Sequence, residues 1–373
     1  MSARASGYGS RQRDLRPWIR GIALVVVALF LVVKVLNYVS PGATTVHGVE
    51  SVYTAADERV QSLIRNTPAL HSCRSDQTKL TVSGGFVCAA GTPDHTVYNK
   101  IFETYPAGPD GKNYVYTSTT TGTIAVANHL LAGVVEMPRY APVRVGLTPT
   151  WREDPYHAVY WRLNYYALRP TQSLLAAYLE SGDTRYAKRL IALDKSFFAH
   201  DERSSALAWQ DDHAVAFRAM ILTNQWWELR EYHQLTESDS VLYLREIERT
   251  GQYLADPNHY QPEYNHGTNE AAALLDLALN FPTLPHAHEW LGLARVRLAQ
   301  SMDDLVDGDG ALIENSPYYH FYTLDKYWQI LRFADRFDFQ ISSNFRSRLA
   351  EMIGYGSDIL QPDSSVPLLG ASL

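Results

Sequence analysis

Three short stretches concentrate side chains that hold charge or move protons. "AWQDDHAVAFRAM" sets Asp211, Asp212 and His213 at the entrance of a helical segment, with Arg218 about a turn and a half later. "YNHGTNEAA" places Asn265 and His266 the same way, and "ENSPYYHFYTLDKYW" gathers Glu314, Ser316, Tyr318, Tyr319 and His320 around a proline turn before another helix. The amide, guanidinium and imidazole groups of Asn265, Arg218 and His266 are donors suited to a carboxylate or a developing oxyanion. Histidines and a tyrosine are the usual partners for proton transfer. Asp211 or Asp212 together with Glu314 would also make a hydrolytic pair, since two carboxylates suffice for glycoside hydrolysis. Each stretch has a plainer reading as well: Asp212 or Asn265 as a helix cap, and Ser316-Pro317 as an ordinary loop-to-helix entry. A helix start needs one cap, so the spare polar groups of residues 264–270 call for a further role.

The elements that must position these residues are helices. From about Asp154, apolar residues recur at helical spacing in segment after segment, from "YHAVYWRLNYYALRPTQSLLAAYLES" to "NFRSRLAEMIGYG". Short breaks such as "SGDT", "FPTLP" and "GDGAL" predict antiparallel neighbours. Eight to ten helices in sequential hairpins predict a mainly α fold, either a solenoid or an α/α toroid; the absence of a fixed-length repeat argues against the solenoid. The chemically rich loops fall at alternate helix junctions, so a toroid would gather them at one end. Residues 41–145 differ, with Pro, Gly, Thr and Ser clusters that predict loops, a few strands and one or two short helices.

"DDHAVAFR", "NHGTNEAAALLDLALNFP" and "DGDGALIENSPYYH", in that order and at these separations, resemble the α-helical toroid of the heparinase II/III-like polysaccharide lyases. "YHAVYWRLNYYALRPTQSLLAAYLESGDTRY" is similar to the first toroid helices of that family, so the resemblance covers about residues 150–370. It implies an incomplete barrel of helical hairpins that cleaves a uronate-containing acidic glycan by β-elimination. Such an enzyme removes the proton on C5, beside the carboxylate, and expels the glycosidic oxygen on C4. The resemblance makes Asn265, His266 and Tyr319 catalytic: Asn265 as donor to the carboxylate, Tyr319 as acid and in one geometry also base, and His213 or His266 as base when the C5 configuration is opposite. Asp212, His213, Arg218, Glu314, Tyr318 and His320 are then expected against the substrate, with Arg218, His266 or His320 placed to lower the Tyr319 pKa. Tyr318 and Tyr319 point about 100° apart on a helix, and it is Tyr319 that matches the family's tyrosine. The family continues into a β-sandwich that in several members carries a metal. This sequence ends at "QPDSSVPLLGASL", where that domain is expected to begin, and no cofactor is expected within the residues present. Two other readings stand beside this one: a non-catalytic glycan-binding scaffold, and a glycoside hydrolase on an α/α toroid.

The remaining signals concern location. Residues 1–20 are basic, and "GIALVVVALFLVVKVLNYV", residues 21–39, is long enough to cross a bilayer, with Trp18 and Tyr38 at the expected interfaces. The arginines predict a cytoplasmic N-terminus and an extracytoplasmic bulk, and the lack of a small-x-small site favours an uncleaved anchor. Cys73 and Cys88 flank a strand-like stretch with a Gly-Gly turn, and outside the cytoplasm they are expected to form a disulfide. A net charge of -7 over 373 residues argues against nucleic acid as partner. The 24 Tyr and 8 Trp suit either a sugar-binding cleft or a thick helical core. "DDLVDGDGALIE" departs from a calcium-loop spacing and reads as a turn, and "PHAHEW" lacks a third metal ligand nearby.

Overall fold

The computed structural model describes residues 124–200 and 206–370, with three short strands between residues 78 and 94. Strands β1 (Thr78–Leu80), β2 (Phe86–Cys88) and β3 (Pro93–Asp94) form an antiparallel sheet in that order, with Thr78 opposite Cys88. The two strands agree with the strand-like reading of this stretch, whose Gly-Gly turn lies outside the described residues. Cys73, the Cys88 side chain, the basic residues 1–20 and the span 21–39 lie outside the described residues. Among the described residues no helix is long and apolar enough to cross a membrane.

Among the described residues ten α-helices follow: α1 (Ile124–Leu131), α2 (Val159–Tyr166), α3 (Gln172–Ser181), α4 (Thr184–His200), α5 (Asp212–Glu231), α6 (Glu237–Ala255), α7 (Asn265–Asn280), α8 (Ala287–Leu305), α9 (Pro317–Arg336) and α10 (Phe345–Ile359). A two-stranded ribbon, β4 (Val134–Val135) with β5 (Val143–Arg144), links α1 to α2. Helix α1 packs on α3 and α4, so the helical body takes in a helix from the region read as mixed.

Helices α3 to α10 form four sequential hairpins, each helix packing on the next within its hairpin. Two further lines of contact connect the hairpins: α3, α5, α7 and α9 touch in series, as do α4, α6, α8 and α10. Burial sets the first line inside. On α5 every residue from His213 to Leu229 is buried, and on α7 every residue except His266. Helices buried all round belong in an interior, whereas α4 and α6 keep a polar outer face. Alternate helices in a chain of hairpins run the same way, so the N-termini of α5, α7 and α9 share one end.

Side-chain caps start two of the inner helices, α5 and α9. Asp211 caps α5 by accepting from the Ala214 N–H at 3.1 Å, and Ser316 caps α9 by accepting from Tyr319 N–H at 3.3 Å, with Pro317 at the first helical position. Helix α6 opens with Thr236 accepting from Asp239 N–H and donating to its carboxylate. The aromatic residues divide between the two expected uses. Trp161, Trp226, Trp290, Tyr166, Tyr243 and Tyr327 are fully buried core, while Tyr264 and Tyr318 are about half exposed beside the N-termini of α7 and α9. The 307–311 stretch is a turn, closed by Asp307 accepting from the N–H groups of Asp309 and Ala311.

Candidate active site

The N-terminal ends of α5, α7 and α9 bring together residues from all three stretches. Helix α7 has no cap of its own, because the residue before it is Tyr264, whose side chain makes no capping bond. Glu314, arriving from the loop before α9, takes that place. It accepts from Asn265 N–H at 2.9 Å and from Asn265 Nδ2 at 3.0 Å to each carboxylate oxygen. A carboxylate there also complements the positive end of the α7 dipole. The two oxygens of one carboxylate subtend a narrow angle at Nδ2, so one N–H serves both and the second points elsewhere. Asn265 is thus shown against a carboxylate, but that carboxylate belongs to the protein.

Tyr319 sits one turn into α9 and is half-buried, edge-on to Tyr318 at 5.5 Å and to Tyr322 at 6.3 Å. Its hydroxyl has no hydrogen-bond partner among the described residues. Lys326 lies two turns further along the same face of α9, with its ammonium 5.5 Å from the Tyr322 ring. Burial pulls the Lys326 pKa down to about 8, and the nearby Arg169 adds to that fall.

Across from α9, His213 and His266 face each other with ring centroids 4.2 Å apart, and His213 rests on Phe217 at 4.5 Å. Arg169, from the short helical turn Arg169–Thr171, covers the same Phe217 ring at 4.2 Å. Burial drives the His213 pKa well below its ordinary value, and the neighbouring His266, Arg169 and Lys326 push the same way. His213 is therefore neutral at physiological pH, and its buried Nε2 has no partner.

Asp212 was expected against substrate and is instead engaged within the protein. It accepts from the Tyr253 hydroxyl at 2.6 Å, His259 Nδ1 at 3.0 Å and Gln261 Nε2 at 3.2 Å. Gln261 in turn meets His266 Nδ1 through Oε1 at 3.2 Å, and its backbone N–H donates to Glu270 Oε2 at 2.9 Å. Gly267 makes this approach possible: a Cβ there would lie 2.4 Å from the Gln261 carbonyl oxygen. Glu270 is fully buried, and that burial raises its pKa to about 7.

Two further expectations are corrected. Arg218 is fully buried in the wall, where Nη1 donates to the Tyr166 and Ala208 carbonyls at 2.9 Å, Nε approaches Glu246 at 3.7 Å, and the guanidinium covers Trp209 at 4.4 Å. It joins helices and does not reach the cleft. His320 is also buried, with Nε2 donating to the Met352 carbonyl of α10 at 3.0 Å and its ring against Tyr355. Neither side chain bonds the Tyr319 hydroxyl. With Asp211 capping α5 and Asp212 taking three donors, the hydrolytic carboxylate pair loses its members on that side.

Gln261, Tyr253, His259, Arg169 and Lys326 were not singled out from the sequence. Only Lys326 carried a usable signal, its seven-residue spacing from Tyr319 on one helix face. Among the described residues no cluster of His, Cys, Asp or Glu is arranged to hold a metal ion.

Comparison with known proteins places the fold. Solved structures with the same fold include the heparan sulfate lyase HepC from Pedobacter heparinus, at 19% identity and a TM-score of 0.59, matched over 73% of this chain and 44% of that one. A heparinase III structure matches at 16% identity and a TM-score of 0.61, over 72% of this chain and 43% of that one. This chain therefore spans less than half the length of the solved relatives. No curated protein matches it. The model of the heparinase II/III N-terminus matches residues 115–373, taking in every helix described above, and the chain belongs to that family.

Proposed function

We propose that the protein is a polysaccharide lyase that cleaves an acidic, uronate-containing glycan by β-elimination. The observation that carries this reading is that Glu314 ties the start of α7, at Asn265, to the loop leading into Tyr319 on α9, with His266, Arg169 and Lys326 grouped about His213. A C5–H bond beside a carboxylate yields its proton only when donors hold the charge that develops on the carboxylate oxygens. The free N–H of Asn265 and the cations of Arg169 and Lys326 supply such donors. A base takes the C5 proton, the C5–H electrons form the C4=C5 double bond, and the C4–O bond breaks. The Tyr319 hydroxyl protonates the departing oxygen. Proton return between the base and the Tyr319 phenolate, through water, restores both groups. The Tyr318 and Tyr264 rings are placed to stack on sugar faces.

The clasp between Asn265 and Glu314 favours one second reading, a glycan-binding protein in which that carboxylate site stays filled. Product mass separates the two: elimination gives fragments one water lighter than hydrolysis, and a binding protein gives no fragments at all. The apolar run 21–39 supports a single-pass anchor with the helical body outside the cytoplasm. Alkaline extraction that left the protein in the membrane fraction would agree with this, and full release would refute it.

A further inference from the structure

Gln261 stands between two groups that together decide the state of the His266 ring. Asp212 presents a carboxylate, which accepts and does not donate, so the end of the Gln261 side chain facing it is the NH2 group. The other end, Oε1, is then the atom 3.2 Å from His266 Nδ1. A carbonyl oxygen also only accepts, so Nδ1 carries the hydrogen. In a neutral imidazole protonated at Nδ1, the lone pair is on Nε2. The Gln261 side chain is itself fixed: Asp212 is held by Tyr253 and His259, and the Gln261 main chain is pinned to Glu270 over Gly267.

We propose that Gln261, anchored by Asp212, is a positioning residue that keeps His266 in the Nδ1–H form and makes Nε2 of His266 the proton acceptor of the site. Of the two histidines, His213 is the less suited: it is buried, its Nε2 is enclosed, and its neighbours disfavour a positive charge. His266 is half-buried, and the groups against its ring are His213, Gln261 and, at 6.5 Å, Tyr264. The link has the logic of a catalytic Asp-His pair with an amide inserted between the two. It rests on the lyase reading only for the identity of the proton removed, the one on C5; the tautomer does not depend on it.

The test is nitrogen NMR of the full chain labelled with 15N-histidine, with no substrate present. The His266 signals are those lost in His266→Gln. Above the titration of His266, wild type is expected to show a protonated Nδ1 and an unprotonated Nε2. Gln261→Leu is expected to bring up the Nε2–H form, and Asp212→Asn, which frees the amide to turn, to give both. Gln261→Glu, nearly isosteric, places a carboxylate at Nδ1–H and is expected to raise the His266 midpoint by about one pH unit. If the protein is a lyase, the acid limb of kcat/KM moves up with it. An Nε2–H wild type, a Gln261→Leu spectrum identical to wild type, or an unmoved midpoint in Gln261→Glu would overturn the proposal. An inactive lyase with the expected spectra would instead refute the functional reading alone.

Discussion

Asn265 and Glu314 form the contact on which the site turns, because one bond set caps α7, fixes the Asn265 amide and joins α7 to the loop before α9. Glu314→Ala leaves the first N–H of α7 and a mostly buried amide without their acceptor, and is expected to cost about 1–3 kcal/mol, read as a lowered denaturation midpoint. Glu314→Gln keeps one acceptor and should lose less; equal stability of all three proteins would refute the capping role. The residue types of the site were legible in the sequence, but their partners were not. Glu314 and Asn265 are 49 positions apart, and no local pattern pairs them. Direction was legible only where helical geometry was applied in full. Arg218 is five residues after His213, about 140° around the helix, so its place in the wall follows from spacing. His320, about 100° from Tyr319, turns to α10 for the same reason, whereas Lys326 returns to the Tyr319 face.

At the scale of elements, the predicted gathering of alternate helix junctions is what the hairpins produce. Apolar spacing and short breaks predicted the helices and their order, and full burial of α5 and α7 makes them the inner pair. What the sequence did not reveal is the loop of residues 256–264, which lies across the start of α7 and delivers Gln261 between Asp212 and His266. Its close approach depends on Gly267. In Gly267→Ala the new methyl meets the Gln261 carbonyl, a backbone atom with no rotamer to yield, so the loop must lift. Overpacking of this kind costs about 1–3 kcal/mol, and the Gln261 contact to His266 should be lost with it. A Gly267→Ala protein as stable as wild type, with unchanged His266 nitrogen signals, would show that the approach is looser than described.

For the whole molecule, the arc of hairpins encloses charge as well as apolar surface. Asp194 is fully buried on α4, where it accepts from the Tyr243 hydroxyl of α6 at 2.6 Å. Burial raises its pKa from 3.8 to about 8. The folded protein then holds a proton that the unfolded chain releases near pH 4. The stability this contributes is complete below pH 4 and is lost as pH rises through about 8. Asp194→Asn removes that dependence. The variant is expected to gain thermal stability over wild type as pH rises from 4 to 8, at roughly 2–4 °C for each kcal/mol relieved. A constant difference across that range would mean the carboxyl is not protonated in the fold.

The family match extends over 259 of the 373 residues, from 115 to 373, and it leaves the chemistry to be settled by product. The most direct measurement follows ultraviolet absorbance of unsaturated uronate while the protein is incubated with heparan sulfate, hyaluronan, chondroitin, alginate and polyglucuronate. The account predicts a rise with one acidic polymer that is abolished in Tyr319→Phe while folding and glycan binding persist. Undiminished cleavage by Tyr319→Phe, or fragments lacking the double bond, would contradict it.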